Sequence, residues 1–182
     1  MDRRSFFEWL VALPVAAGLA APAAAKSGRV DERLRALGIV LPTPANPIAV
    51  YVPWRVSGNQ VFIAGQIPPL DADVPVTGKL GRDLDIEQGY AAARLAGLRV
   101  LAQLKAACGG DLDRVVQCVQ LRGFVNSADD FTDQPAVVNG ASELLRDVFG
   151  DSGLAARAAL GTNTLPRDAA VEIESVFEIR RS

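Results

Sequence analysis

Histidine does not occur among the 182 residues. Its absence excludes a Ser-His-Asp triad, a Cys-His dyad and a zinc site with imidazole ligands. Only two cysteines are present, Cys108 and Cys118, too few for a thiolate metal site. Aromatic residues make up 6% of the chain, which leaves little for base-stacking platforms. The net charge is −2, so no basic footprint exists for nucleic acid or anionic lipid. Chemistry must therefore come from guanidinium and ammonium groups, carboxylates, hydroxyls, thiols, backbone and water, with neither metal nor cofactor expected. About half the residues are apolar and 22% are charged, ordinary values for a globular protein, and the length suits one domain with a sizeable core.

The first 25 residues differ in composition from the rest. Arg3-Arg4 precedes an almost purely apolar, alanine-rich segment, Trp9 to Ala24, that ends in Ala23-Ala24-Ala25, a small-x-small cleavage pattern. The paired arginines followed by Ser5, Phe6 and Phe7 resemble a twin-arginine signal; a general secretory signal and an uncleaved anchor are the alternatives. The apolar stretch is shorter than the ~20 residues that span a bilayer comfortably, which disfavours an anchor. The expectation is a signal peptide over residues 1–25 and a mature protein in the periplasm or outside the cell, with no membrane association once the signal is cleaved. Cys108 and Cys118 would then meet an oxidising compartment, where a disulfide is one option and two small buried hydrophobes the other.

Residues 26–47 read as a lead: a weak helix over 30–37 stopped by Gly38, then a loop with three prolines. The domain proper spans 48–182. Ile48 to Trp54 reads as a strand, Ser57-Gly58-Asn59 as a hairpin turn, and Gln60 to Gln66 as a second strand, with Val61, Ile63 and Gly65 alternating against Phe62, Ala64 and Gln66. Asp85 and Gln88 have the spacing of a capping box before a helix over 86–107, whose inward stripe is Tyr90, Ala93, Gly97, Leu101 and Leu104. A long strand over 113–125 follows. A second helix starts with Pro135 in its first turn and ends at Phe149, before Gly150. Two strands close the chain. The order β-β-α-β-α-β-β predicts an α+β fold of two layers, with a mixed sheet carrying two helices on one face. Apolar residues on both faces of several strands predict an oligomer that covers the other side.

The last two strands hold the most informative pair. Val171, Ile173, Ser175, Phe177 and Ile179 alternate with Glu172, Glu174, Val176 and Glu178. Residues 162–168 are rich in turn formers. If Gly161 and Asp168 face each other across a hairpin, Arg157 falls opposite Glu172 on one face of the ribbon. Spacing alone leaves open a solvated cross-strand ion pair or a functional pair.

Several segments together resemble the YjgF, or Rid, family of imine and enamine deaminases, which also carries the label endoribonuclease L-PSP. They are Tyr51-Val52-Pro53, Gly58-Asn59 with Val61 to Pro68, Asp130-Phe131 with Val138-Asn139, and Ala156-Arg157 with Leu165-Pro166 and Val171-Glu172-Ile173-Glu174. The resemblance implies a chorismate-mutase-like fold and a homotrimer with a small-molecule pocket at each subunit interface. It further implies that Arg157 grips a substrate carboxylate, a task suited to a planar guanidinium fork. Glu172 would hold the hydrolytic water, Tyr51 and Asn139 would line the pocket, and Gly65 would let backbone approach the ligand. Two departures stand out. Ala159 replaces the family's usual cysteine, of which only the backbone is expected to touch water or substrate, and Ala64 replaces the usual serine before Gly65. They mark a divergent subgroup.

The expected activity is hydrolysis of small 2-imino or 2-enamino acids to 2-keto acids and ammonia, with a small carboxylate as ligand and no nucleic acid partner. The alternative is a non-catalytic carboxylate binder with the same pocket. A ribonuclease role fits poorly with the net acidity, the missing histidine and the scarce aromatics.

Overall fold

The computed structural model describes residues 28–181. The expected signal peptide over 1–25 lies outside them. The chain begins with helix α1 (Arg29–Ala36), continues through strands β1 (Trp54–Ser57) and β2 (Gln60–Gln66), helix α2 (Ile86–Ala107), strand β3 (Val115–Asn126), helix α3 (Gln134–Phe149) and strand β4 (Ala156–Thr162), and ends in strand β5 (Val171–Ile179). The expected α+β order holds, and α1 ahead of it matches the weak helix expected over 30–37.

Local chemistry explains the element limits. The Asp85 carboxylate accepts from Gln88 N, and the Gln88 side chain accepts from Asp85 N, so the capping box satisfies two donors at the start of α2. At the start of α1, Asp113 accepts from the backbone N–H of Arg29 and Val30 at 2.7 and 2.9 Å. Gly58 has φ +64°, as the primed turn between β1 and β2 requires. Residues 48–53, expected as strand, form no ladder. Pro47 and Pro53 bracket this segment, Tyr51 N donates to Ala49 O in a tight turn, and β1 starts only at Trp54.

The five strands lie in the order β1-β2-β5-β3-β4, with β3 and β4 parallel and the other pairs antiparallel. Helices α2 and α3 pack side by side on one face. The core lies between them and the buried row of β5, which includes Val171, Ile173 and Phe177. Small residues bring the helices together: Ala92, Ala93, Ala96 and Gly97 are buried on α2. A Cβ on Gly140 of α3 would sit 2.0 Å from the Tyr90 carbonyl oxygen, so only glycine permits this approach. Tyr90, expected in the inward stripe, is half-buried instead and donates its hydroxyl to Glu143 at 2.8 Å. Cys108 and Cys118 are buried and unpaired, and desolvation pushes the Cys118 thiol up to about 12. They serve as small hydrophobes.

The expected β4–β5 hairpin is not formed. Strand β3 lies between them, because residues 163–170 step over it and return β5 to the centre of the sheet. Arg157 stands beside Leu121, and Glu172 beside Phe124. Leu121 is buried on the helix side, while Glu172 belongs to the row facing away from the helices. Arg157 and Glu172 therefore occupy opposite faces of one sheet, in place of the shared face that a hairpin predicts.

Candidate functional site

Two separate clusters emerge. The first surrounds a cavity of about 400 Å³ beside the irregular segment 45–51, β2 and the turn before β5. Tyr51, Gly65 and Glu172 all line it. Their meeting depends on a β-bulge: Ile63 pairs with Ser175 but Gln66 pairs with Ile173, so two residues of β2 oppose Glu174 alone. The bulge breaks the alternation expected along β2. It turns the Gln66 side chain inward, where its amide donates to the carbonyls of Ala64 and Gly65 at 3.0 and 3.1 Å. It also places Gly65 against Glu172. A Cβ at position 65 would lie 1.8 Å from Glu172 Oε1, so the glycine leaves room for the carboxylate. Burial, and secondarily the charge of Glu174, push the Glu172 carboxyl above the usual glutamate range. This is the environment that makes a carboxylate a stronger base.

Two cavity residues escaped sequence reading. Arg99, on α2, donates to Ile67 O at 3.1 Å. In the sequence it reads as an ordinary polar position of an amphipathic helix. Arg167 sits in the turn before β5 with φ 58°, and Asp168 follows with φ 55°. Left-handed backbone at a non-glycine residue costs of order 1–3 kcal/mol. The surroundings impose it: Asp168 Oδ1 accepts from Asn126 Nδ2 at 3.0 Å, Asp168 O accepts from Gly78 N at 2.8 Å, and the Lys79 ammonium donates to Asn126 Oδ1 at 3.0 Å. Pro166 and Asp168 signalled a turn in the sequence, but not that it would put Arg167 on a cavity wall.

The second cluster lies at the β4 edge against α3. Arg157 Nη1 donates to Asn139 Oδ1 at 2.7 Å and to Ser142 Oγ at 3.1 Å. The sequence reading found Arg157 and Asn139 but missed Ser142, one helical turn beyond Asn139. Ala159 is two residues along β4, on the same face as Arg157, and is half-buried. Arg157 itself is exposed and, among the described residues, has no carboxylate partner. Its guanidinium is oriented by neutral acceptors and keeps its charge available. The six sequence-predicted site residues thus divide evenly, with Tyr51, Gly65 and Glu172 in the cavity and Asn139, Arg157 and Ala159 at the far edge. Among the described residues no group of carboxylates and thiols is placed to hold a metal ion.

The family model described as YjgF/chorismate mutase-like, which also carries an endoribonuclease label, matches residues 31–177. The chain belongs to the YjgF family. Among its relatives, protein TCP17 of Trypanosoma cruzi is 47% identical over 154 residues, which span 84% of this chain and 96% of that protein. The solved structure of Atu1372 from Agrobacterium tumefaciens, a protein described as of unknown function, is 42% identical with a TM-score of 0.75, covering 83% of this chain and 94% of that one. A Shewanella oneidensis structure is 35% identical with a TM-score of 0.78, covering 82% and 99%. The YjgF match covers both clusters.

Proposed function

We propose that the protein hydrolyses small 2-imino or 2-enamino acids to 2-keto acids and ammonia, at a site completed by two protomers of a homotrimer. The observation that carries this reading is the split between two complementary half-sites. One holds a desolvated carboxylate in a cavity, and the other an oriented guanidinium without an anionic mate. The sheet face away from the helices supports association. It exposes Phe62 at 42% and, beside it, Val52 at 46%, around the Arg122–Glu174 ion pair. This reading keeps the resemblance's pocket between subunits, and Arg157 of one protomer then serves Glu172 of the next.

Arg157 binds the substrate carboxylate and fixes its orientation, which removes much of the entropic barrier. The C2 carbon of an imine is already electrophilic, so water suffices as nucleophile. Glu172 and the Ala159 carbonyl hold that water. As its oxygen bonds to C2, the C=N pair moves to nitrogen, and Glu172 takes a proton from the water and passes it to nitrogen. The resulting carbinolamine collapses: Glu172 takes its hydroxyl proton and delivers it to the amino nitrogen, the oxygen forms the C=O bond as the C–N pair leaves with nitrogen, and ammonia departs from the keto acid. The raised proton affinity of Glu172 suits both transfers. Export over residues 1–25 remains part of this proposal, carried by the Arg3-Arg4 and Ala23-Ala24-Ala25 patterns.

The test is ammonia release from freshly generated imine. Wild type should exceed Arg157→Ala by about ten- to a hundredfold, the worth of a charge-assisted carboxylate contact. Equal rates would overturn the assignment. The departures at Ala64 and Ala159 favour a second reading, a carboxylate binder without turnover. Tight keto-acid binding with no ammonia release supports it. A salt-sensitive affinity for RNA would favour the endoribonuclease label instead.

A further inference from the structure

The cavity beside Glu172 carries more positive charge than hydrolysis of a small imine requires. Its charged lining consists of Arg99, Arg167 and Glu172. Neither arginine forms an ion pair among the described residues. Arg99 uses one N–H on Ile67 O, which anchors the guanidinium at the wall and leaves its other donors unassigned. Arg167 is held by the Lys79–Asn126–Asp168 network in a backbone conformation that arginine does not choose on its own. Glu172 forms a salt bridge with neither of them among the described residues. Two cations that converge on one cavity from different elements, both without acidic mates, form a binding feature for an anion.

We infer that the preferred ligand is a dicarboxylate, an imine or keto acid whose C1 carboxylate meets Arg157 and whose far carboxylate meets Arg99 and Arg167. This rests on the site reading above and deepens it by naming the substrate class. Each carboxylate then lies on a different half-site, so the ligand spans the cleft.

Calorimetry on the folded full-length chain tests the inference with 2-oxoglutarate and 2-oxopentanoate, which differ only in the terminal carboxylate. Wild type should bind 2-oxoglutarate about tenfold or more tightly, as expected for a charge-assisted contact. In the Arg99→Gln/Arg167→Gln double variant the ratio of the two affinities should fall to about one. Equal affinities in wild type, or a preference that persists in the double variant, would overturn the dicarboxylate inference. If 2-oxopentanoate still binds and Arg157→Ala weakens it, the underlying site reading survives that failure. Binding of neither ligand to wild type would overturn both.

Discussion

The α2–α3 seam and the two half-sites are built on opposite principles. In the seam strong groups are matched: Tyr90 donates to Glu143, Arg94 lies 3.6 Å from Asp147, and Gly140 lies against the Tyr90 carbonyl with no space left over. At the half-sites strong groups are oriented but unmatched. Arg157 leans on an amide and a hydroxyl, Arg99 on one carbonyl, and Glu172 is desolvated against a glycine. Closed packing holds the fold, and oriented but unneutralised charge is left for a ligand.

That contrast can be broken by single substitutions. The largest effect on stability is expected from Gly140→Ala, because the new methyl meets backbone and cannot be accommodated by a rotamer change. Overpacking of this kind costs about 1–3 kcal/mol, and the upper part of that range is expected here. A lowered urea midpoint with unchanged keto-acid affinity of the folded fraction would sharpen the contrast. An unchanged midpoint would show that the seam is looser than described.

An intermediate effect is expected from Glu172→Gln, and its sign depends on pH. The folded protein holds the Glu172 proton more tightly than the unfolded chain does. Protonation therefore favours the native state. Burial of this side chain costs nothing at pH below the ordinary glutamate range, and the cost develops fully as pH rises through the raised folded value. Glu172→Gln should remove this slope, gaining stability relative to wild type across that window while losing hydrolysis. Wild-type activity should rise with pH through the same window. Parallel denaturation and rate profiles of the two proteins read both effects.

The smallest effect is expected from Arg122→Ala. Arg122 and Glu174 form an ion pair on the open sheet face, with side chains 46% and 33% exposed. Such pairs contribute about 0–1 kcal/mol in a single chain. A loss well above that in the assembled protein, seen as a concentration-dependent melting temperature, would mean that the pair is covered by a neighbour.

Much of the fold was legible because its signals are local. The Asp85–Gln88 box, the limits of β2 and α2, and the two-residue alternation of β5 each follow from residues within a few positions of one another. Strand partnership was not legible. Alternation reveals which side chains share a face but not which strand lies alongside, and β3, which precedes both β4 and β5 with α3 between, comes to lie between them. A glycine inside a strand is one mark of a bulge, but the close approach of Glu172 that the bulge at Ala64-Gly65 permits was not legible. The residues of the site were found through their resemblance to a family pattern, whereas Arg99, Arg167 and Ser142 reach their places through tertiary contacts that leave no local mark.

The opposite-face placement of Arg157 and Glu172 has a genetic consequence. In the proposed trimer, a chain lacking the guanidinium and a chain lacking the carboxylate each spoil a different half of every interface they enter. Either alone is silent. Co-expressed, they assemble some interfaces from two intact halves, so deaminase activity should return as intersubunit complementation. A site formed within one chain allows no such rescue.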